Sequence, residues 1–248
     1  MRKIVVSEFV TLDGVMEAPG GEPGHPHSGW VFDFIGDEQL RYKLEETLEA
    51  ESLLIGRVTY ESFAGAWPGR SGEFADKMNA MPKHVVSTTL RNPEWHNSSV
   101  IGRDVVENIT RLKQQEGGPI LVAGSRMVVH TLMEHDLVDE YRLMIFPVVL
   151  GSGRRLFPET QTKTMLRLAD TRSFSSGVVV HTYHPTSKVE PGWSDQRLER
   201  VFQHCLDAGV FLGMNGLGCL STPMTEREVE AIAVALERAL AALRREGT

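Results

Sequence analysis

The chain has 248 residues, of which 41% are hydrophobic and 24% are charged, and its formal net charge is −7. This composition is ordinary for a globular protein with a sizeable core, and the negative charge argues against nonspecific nucleic-acid binding, which needs a basic surface. The only two cysteines, Cys205 and Cys219, favour neither a disulfide framework nor a structural zinc site. A strand-like run starts at Ile4 without a preceding signal peptide, and no apolar run reaches membrane-spanning length. We therefore expect a cytoplasmic protein without nucleic-acid or membrane partners.

Strand-like runs alternate with helical patterns along the first part of the chain. The strand-like runs lie at about 3–10, 52–56, 84–87, 119–123 and 138–149, and the helical patterns at about 37–50, 58–64, 104–116 and 125–135. Such alternation predicts crossover connections and an α/β fold, with helices flanking a mostly parallel central sheet. Two further strand candidates, at about 164–173 and 177–184, are joined by a turn and predict an antiparallel hairpin at the sheet edge.

The most informative segment begins with the apolar run Ile120-Leu121-Val122-Ala123, which stops at Gly124. Ser125 is placed to cap the helix that follows. Backbone N–H groups at such a helix N-terminus stabilise an anion such as a phosphate. A turn that serves packing alone would look the same in the sequence, so this junction does not decide the function by itself.

Four segments follow one another in the first 184 residues: RKIVVSEFVTLDGVMEAPGG, LLIGRVTYESF, KHVVSTTL and the stretch from Ile120 to Phe157. In this order they resemble the dihydrofolate-reductase-like superfamily, and most closely its riboflavin-biosynthesis reductase branch, the RibD C-terminal domain of bacterial bifunctional deaminase-reductases. The resemblance implies a dihydrofolate-reductase-like fold and an NADPH-dependent reductase that acts on a C=N or C=O bond of a small heterocyclic substrate. A non-catalytic dinucleotide-binding or assembly protein that retains the fold is the alternative.

The resemblance also implies where NADPH would bind. The cofactor-binding residues that it implies are Gly56, Arg57, Ser87, Thr88, Gly124, Ser125, Arg126 and Met127. A glycine after a strand allows close approach of the pyrophosphate, arginine supplies a fork for phosphate, and hydroxyls suit the 2′-phosphate of NADP. Arg57 could instead pair with Glu61, and serine and threonine are common in surface turns.

Candidate proton donors lie on the substrate side. They are Asp13, in a Leu-Asp-Gly turn, and Asp33 or Asp37, near the start of the following helix. Asp13 could equally use its carboxylate to bind local backbone, because an Asp-Gly pair is a common turn. We take Asp13 and Asp33 as the catalytic candidates.

A glycine-rich loop from Gly20 to Trp30 predicts a mobile lid, with Trp30 covering the substrate or the nicotinamide. His25 and His27 in this loop lack a third ligand, so we expect no metal site. Arg154, after a Gly-Ser-Gly sequence, is a candidate ligand for a phosphorylated substrate, and a solvated basic loop is the equal alternative.

The composition changes after residue 184. Residues 185–193 contain two prolines and a glycine and predict a linker, and residues 194–248 form an appendage that resembles the C-terminal end of class III pyridoxal-phosphate aminotransferases. An active enzyme of that class needs a lysine Schiff base, but the last lysine, Lys188, lies in the linker. We interpret the appendage as a fragment that serves packing or dimerisation, and we expect a homodimer.

Overall fold

The computed structural model describes residues 1–159 and 163–186, and further along the chain residues 203, 207, 230, 232–235, 237 and 238. The chain divides into two units, Met1–Lys188 and Val189–Thr248. The described residues of the second unit are helical, and Gln203 donates a hydrogen bond to Asp207 one turn later. Most of the predicted linker and of the aminotransferase-like appendage lies outside the described residues.

The first unit is built from a sheet flanked by helices. Its strands are β1 Ile4–Thr11, β2 Ser52–Gly56, β3 Lys83–Val86, β4 Ser98–Ile101, β5 Ile120–Ala123, β6 Glu140–Phe146, β7 Leu166–Ser173 and β8 Val179–Pro185. Its helices are α1 Asp37–Glu49, α2 Arg57–Ala66, α3 Glu73–Ala80, α4 Val105–Gln114 and α5 Arg126–Glu134. Within the described ranges, no helix has the length and apolar character needed to cross a bilayer.

The strands form one eight-stranded sheet in the order β4-β3-β2-β5-β1-β6-β8-β7. The strands from β4 to β6 run parallel, whereas β8 pairs antiparallel with both β6 and β7. The predicted α/β arrangement, a mostly parallel sheet that ends in an antiparallel C-terminal hairpin, is confirmed. The central strand β1 is apolar on both faces, with Ile4, Val5 and Val6 at most 2% exposed, because helices cover both sides of the sheet.

Neighbouring residues of β2 show which helices cover which face. Leu53 and Ile55 pack in a cluster with Tyr60 of α2, whereas Leu54 packs in a different cluster with Val128 of α5. The chain therefore leaves β2 toward one face of the sheet and leaves the adjacent strand β5 toward the other face. In open α/β sheets, such a divergence at the carboxyl ends of two neighbouring strands opens the crevice in which ligands bind.

Sequence patterns did not predict α3 or β4, and they placed the end of β6 too late. The helix α3 has eight residues, of which only Ala75 and Met78 are buried, so it carries little periodic signal. The strand β4 is a four-residue edge strand that begins with two serines. The strand β6 stops at Phe146 because the next residue, Pro147, has no N–H group to donate to the sheet.

Candidate functional site

The predicted cofactor residues meet at the carboxyl edge of the parallel strands. Three pairs lie at the ends of adjacent strands: Gly56 and Arg57 at β2, Ser87 and Thr88 at β3, and Gly124 and Ser125 at β5. Arg126 and Met127 open α5 at the same edge. The turn that contains Asp13 follows β1, the next strand along the sheet. The structure therefore brings together, along one edge, residues that are scattered over more than a hundred positions of the sequence.

The turn between β5 and α5 has an unusual backbone. Gly124 and Ser125 both adopt left-handed conformations, with φ of +76° and +75°. A Cβ atom on Gly124 would lie 3.0 Å from Cγ2 of Thr59, so a side chain there would meet both strain and a close neighbour. Glycine is therefore favoured at this position, where it lets the turn pack closely against Thr59 of α2.

Ser125 was predicted to cap α5, but its hydroxyl group makes other bonds. The Ser125 Oγ accepts the N–H of Gly56 at 2.6 Å and donates to Oγ1 of Thr59 at 2.7 Å. No side-chain hydrogen bond caps α5, because the left-handed backbone turns the hydroxyl toward β2 and α2. The first N–H groups of a helix have no carbonyl acceptor inside the helix, so those of Arg126 and Met127 are suited to an anion.

Glu8 lies beside this turn and was not among the predicted site residues. It belongs to the central strand β1 and is only 4% exposed. Its Oε2 accepts the N–H of Gly124 at 3.0 Å, whereas its Oε1 is buried without a hydrogen-bond partner. Burial raises the pKa of Glu8 to about 8, although the hydrogen bond from Gly124 and the charge of Lys43 act in the opposite direction.

A second group of buried charges lies where α1 packs against β1. The Ser7 hydroxyl donates to Oε2 of Glu46 at 2.9 Å, and Lys43 both pairs with Glu46 and donates to Ser7 at 2.7 Å. Arg142 of β6 approaches Oε1 of Glu46 at 3.7 Å and pairs with Glu140 at 2.6 Å. Since these side chains mostly form hydrogen bonds and ion pairs with one another, the cluster holds α1 on the sheet.

Asp13 lies at the carboxyl end of β1, and protein groups surround its carboxylate. It accepts the Thr11 hydroxyl at 2.6 Å and the N–H groups of Leu150 and Gly151 at 3.3 and 2.8 Å. These bonds, with that from Thr11 the largest, hold the pKa of Asp13 below its ordinary value. The geometry therefore favours a structural role for Asp13, which binds the distant backbone of Leu150 and Gly151 and not only its own turn, and its catalytic role stays a prediction.

Two other predicted cofactor residues also have partners within the protein. Arg57 pairs with Glu61 at 2.8 Å, and both side chains are about half exposed, at 45% and 50%. Ser87 accepts the N–H groups of Thr89 and Leu90 at 3.1 and 2.9 Å. The pair at Arg57 is exposed, so a phosphate could compete for the guanidinium at little cost. The Ser87 hydroxyl is instead engaged by backbone N–H groups of the turn that follows β3.

Comparison with known proteins assigns the family. The sequence of residues 2–180 matches the RibD C-terminal domain. The chain belongs to the RibD C-terminal domain family. It is also 30% identical over 192 residues to the uncharacterized protein YyaP of Bacillus subtilis (strain 168), covering 74% of this chain and 95% of that relative. The family match stops at residue 180, so the aminotransferase resemblance of the appendage receives no support from it.

Solved structures share the fold of this family member. A putative riboflavin biosynthesis protein from Shewanella sp. PV-4 is similar with a TM-score of 0.59 and 18% identity, covering 74% of this chain and 99% of that one. A diaminohydroxyphosphoribosylaminopyrimidine deaminase/5-amino-6-(5-phosphoribosylamino)uracil reductase from Thermotoga maritima is similar with a TM-score of 0.53 and 15% identity, covering 74% of this chain and 56% of that one. At these identities, the similarity establishes the fold alone.

In this member of the RibD C-terminal domain family, Trp30 is buried against Phe146, the last residue of β6, and is not open to a ligand. Its indole is 4% exposed, donates to the carbonyl of Glu17 at 2.8 Å and packs edge-to-face on Phe146 at 5.3 Å. The predicted contact of Trp30 with a ligand would require the indole to leave this cluster. Asp33, the second catalytic candidate, is exposed on the surface.

The predicted lid and the residues just before it form hydrogen bonds with the connection between β6 and β7. His25 Nε2 lies 3.2 Å from the carbonyl of Ser152, and the N–H of Arg154 donates to Glu17 at 2.8 Å. The side chain of Arg154 is 73% exposed and lies 3.4 Å from Glu17, so it could still reach an anion. In the described part of the chain, no group of three or more histidine, cysteine, aspartate or glutamate side chains is arranged to hold a metal ion.

Proposed function

We propose that the protein is an NADPH-dependent reductase that reduces a C=N or C=O bond of a small heterocyclic substrate. A pyrimidine of the kind reduced by 5-amino-6-(5-phosphoribosylamino)uracil reductase is the first candidate. The observation that carries the proposal is the open turn between β5 and α5, which lies between the ends of β2 and β1 at the carboxyl edge of the sheet.

The residues at this edge fit a dinucleotide. The pyrophosphate would be held by the N–H groups that open α5, next to Gly124, whose left-handed backbone shapes the turn. Arg57 lies one strand away, and Thr88 lies two strands away, where a 2′-phosphate could be bound. Hydride would come from NADPH when that cofactor is bound.

The protein itself would act by orientation and by excluding water. Reduction adds a hydride to the carbon of the substrate bond and a proton to its nitrogen or oxygen, so both donors must be held close to the bond. The turn around Asp13, the lid and Arg154 are next to the end of β1 and would form the substrate side. Asp13 and Asp33 remain the proposed proton donors.

The alternative is a non-catalytic protein that binds dinucleotide or serves assembly. The observation that favours it is the Asp13 carboxylate, whose oxygens already accept three hydrogen bonds from the protein. A group held in this way is a poor proton donor at neutral pH, because its bonds stabilise the ionised form.

Calorimetric titration with NADPH and NADH tests the proposal first. We expect NADPH to bind more tightly than NADH, and we expect oxidation of NADPH, followed by its absorbance, with some member of a panel of pyrimidine and pterin acceptors. Binding without oxidation of NADPH by any acceptor would favour the non-catalytic alternative. Failure to bind either nucleotide would refute the reductase proposal and leave an assembly protein as the alternative.

We also propose that the protein is a homodimer, in keeping with its resemblance to the reductases. Light scattering on the full chain measures this directly. A mass of twice 27.6 kDa is expected, and a mass equal to that of one chain would refute the proposal.

A further inference from the structure

We propose that Glu8 positions the turn between β5 and α5 and is a neutral carboxylic acid when a phosphate-bearing ligand is bound, so that ionisation of Glu8 expels the ligand. The inference rests on the proposed function, because it takes the NADPH pyrophosphate as the ligand. Glu8 lies on β1, contacts the turn at Gly124 and is therefore close to the start of α5.

Only one oxygen of the Glu8 carboxyl group is hydrogen-bonded to a described residue. Glu8 is fixed on the central strand, and its Oε2 accepts the N–H of Gly124 at 3.0 Å. Its Oε1 is out of contact with solvent and has no hydrogen-bond partner in the described structure. A buried oxygen of this kind is costly, above all when it carries charge, and native proteins rarely leave one unpaired.

Protonation on Oε1 removes most of that cost. Oε2 is then the carbonyl oxygen of the acid and still accepts from Gly124, so the turn keeps its shape. A neutral hydroxyl on Oε1 without a partner costs less than a charged oxygen without one. Because Oε1 is closed to solvent, Glu8 would act on an anion at the start of α5 through its charge, across the Gly124 turn, and not by direct contact.

An ionised Glu8 would have the opposite effect. Its negative charge would lie at the end of the helix that attracts anions and would repel a pyrophosphate in a region of low dielectric constant. Two like charges held this close repel one another, so either the carboxyl gains a proton or the ligand binds more weakly.

The surrounding charges do not cancel the effect of burial. The charges that act on Glu8 come from α1, where Lys43 favours ionisation and Glu46 opposes it. The helix α5 contributes Arg126 at its first position and His130, whose Nε2 lies 2.8 Å from the carbonyl of Leu156. Burial outweighs these charges and raises the pKa of Glu8 to about 8, so the acid is mostly neutral at neutral pH.

The test is calorimetric titration of the full chain with NADPH between about pH 7.5 and 9.5, for wild type, Glu8→Gln and a control variant. In wild type we expect the Kd to rise about tenfold per pH unit above about pH 8, with uptake approaching one proton per NADPH near the top of that range. Glu8→Gln keeps an acceptor for Gly124 and cannot ionise, so its Kd should change less than about twofold over the same range.

Glu107→Gln is the matched control. Glu107 is a glutamate on α4 whose side chain is 70% exposed and pairs with Arg111, and its loss should leave the wild-type pH profile unchanged. The buried Lys83, whose pKa burial lowers to about 8, is present in all three proteins and contributes equally to each.

The outcomes separate the two proposals. A wild-type Kd that is independent of pH, or an equal pH slope in Glu8→Gln, overturns the role of Glu8 and leaves the reductase proposal intact. Wild type that binds no NADPH at any pH overturns both. If Glu8→Gln does not fold, proton uptake by wild type, measured in two buffers of different ionisation enthalpy, decides: uptake supports the proposal, and no uptake refutes it.

Discussion

Two turns at the same edge of the sheet use their polar groups in opposite ways. The turn after β5, at Gly124 and Ser125, leaves the first N–H groups of α5 without a cap and places beside them a glutamate oxygen without a partner. The turn after β1 encloses the Asp13 carboxylate in three hydrogen bonds from the protein. Unsatisfied groups are costly unless a ligand completes them, so the first turn has the features of a binding site and the second those of a scaffold.

The largest effect should follow substitution of Gly124. In Gly124→Val the side chain would meet Thr59 and a backbone with φ of +76°. We expect NADPH affinity to fall by about 100-fold or more, because a left-handed conformation is costly for a β-branched residue and the contact with Thr59 would change the shape of the turn. Calorimetric titration measures this loss.

Gly65→Ala is the matched control for that variant. Gly65 lies inside α2, its added Cβ would meet no atom within 4 Å, and alanine favours helix over glycine. NADPH affinity should stay within about twofold of wild type, and the melting temperature should not fall. Equal affinities in Gly124→Val and wild type would remove the β5–α5 turn from the binding site.

Sequence reasoning located the ends of the strands but not the contacts made there. Gly56, Ser87 and Gly124 each follow a short apolar run, and that local signal is sufficient to place them at the carboxyl edge. The contact of Glu8 with Gly124 joins residues 116 positions apart, so no local pattern contains it. A signal was present all the same, since Glu8 interrupts an apolar strand that is buried on both faces.

The predicted role of Trp30 shows a second reason why sequence patterns fall short. A tryptophan at the end of a glycine-rich loop fits a lid as well as it fits a core, and only the position of Phe146 on β6 decides between them. The predicted cap at Ser125 is a third case, because local preference favours a cap and the partners at Gly56 and Thr59 override it.

A smaller effect is expected for Ser125→Ala. The substitution leaves the N–H of Gly56, a partly buried donor, without its acceptor, which costs about 1–2 kcal/mol. If this bond holds the turn in the shape that binds anions, NADPH affinity should fall by about 5- to 30-fold. Ser71→Ala, at an exposed serine, is the control and should bind as wild type does. A Kd equal to that of wild type in Ser125→Ala would show that the bond does not shape the site.

Asp13→Asn tests whether the turn after β1 stabilises the fold without binding NADPH, unlike the turn after β5. Loss of charge-assisted bonds should lower the free energy of unfolding by about 1–2 kcal/mol near pH 7, with NADPH affinity unchanged. The pKa of Asp13 is lower in the folded protein than in the unfolded chain, so its contribution is present above the unfolded pKa and disappears as the pH falls through the folded value. Denaturant unfolding at several pH values measures this.

The turnover of Asp13→Asn then decides its predicted catalytic role. Loss of turnover with retained NADPH affinity, beyond what the lower stability explains, would make Asp13 the proton donor. Unchanged turnover would remove it from the mechanism and confine it to holding Leu150 and Gly151.

The smallest effect should come from Arg57, which lies at the first position of α2 next to the binding turn. Arg57→Gln should weaken NADPH binding by about threefold to tenfold if the guanidinium binds a phosphate, and stability should change by less than about 0.5 kcal/mol, because its pair with Glu61 is exposed. Glu61→Gln is the opposing control, since it frees Arg57 and should leave NADPH binding equal or tighter. If both variants bind NADPH as wild type does, Arg57 only pairs with Glu61. The binding site would then not extend from the turn between β5 and α5 to Arg57.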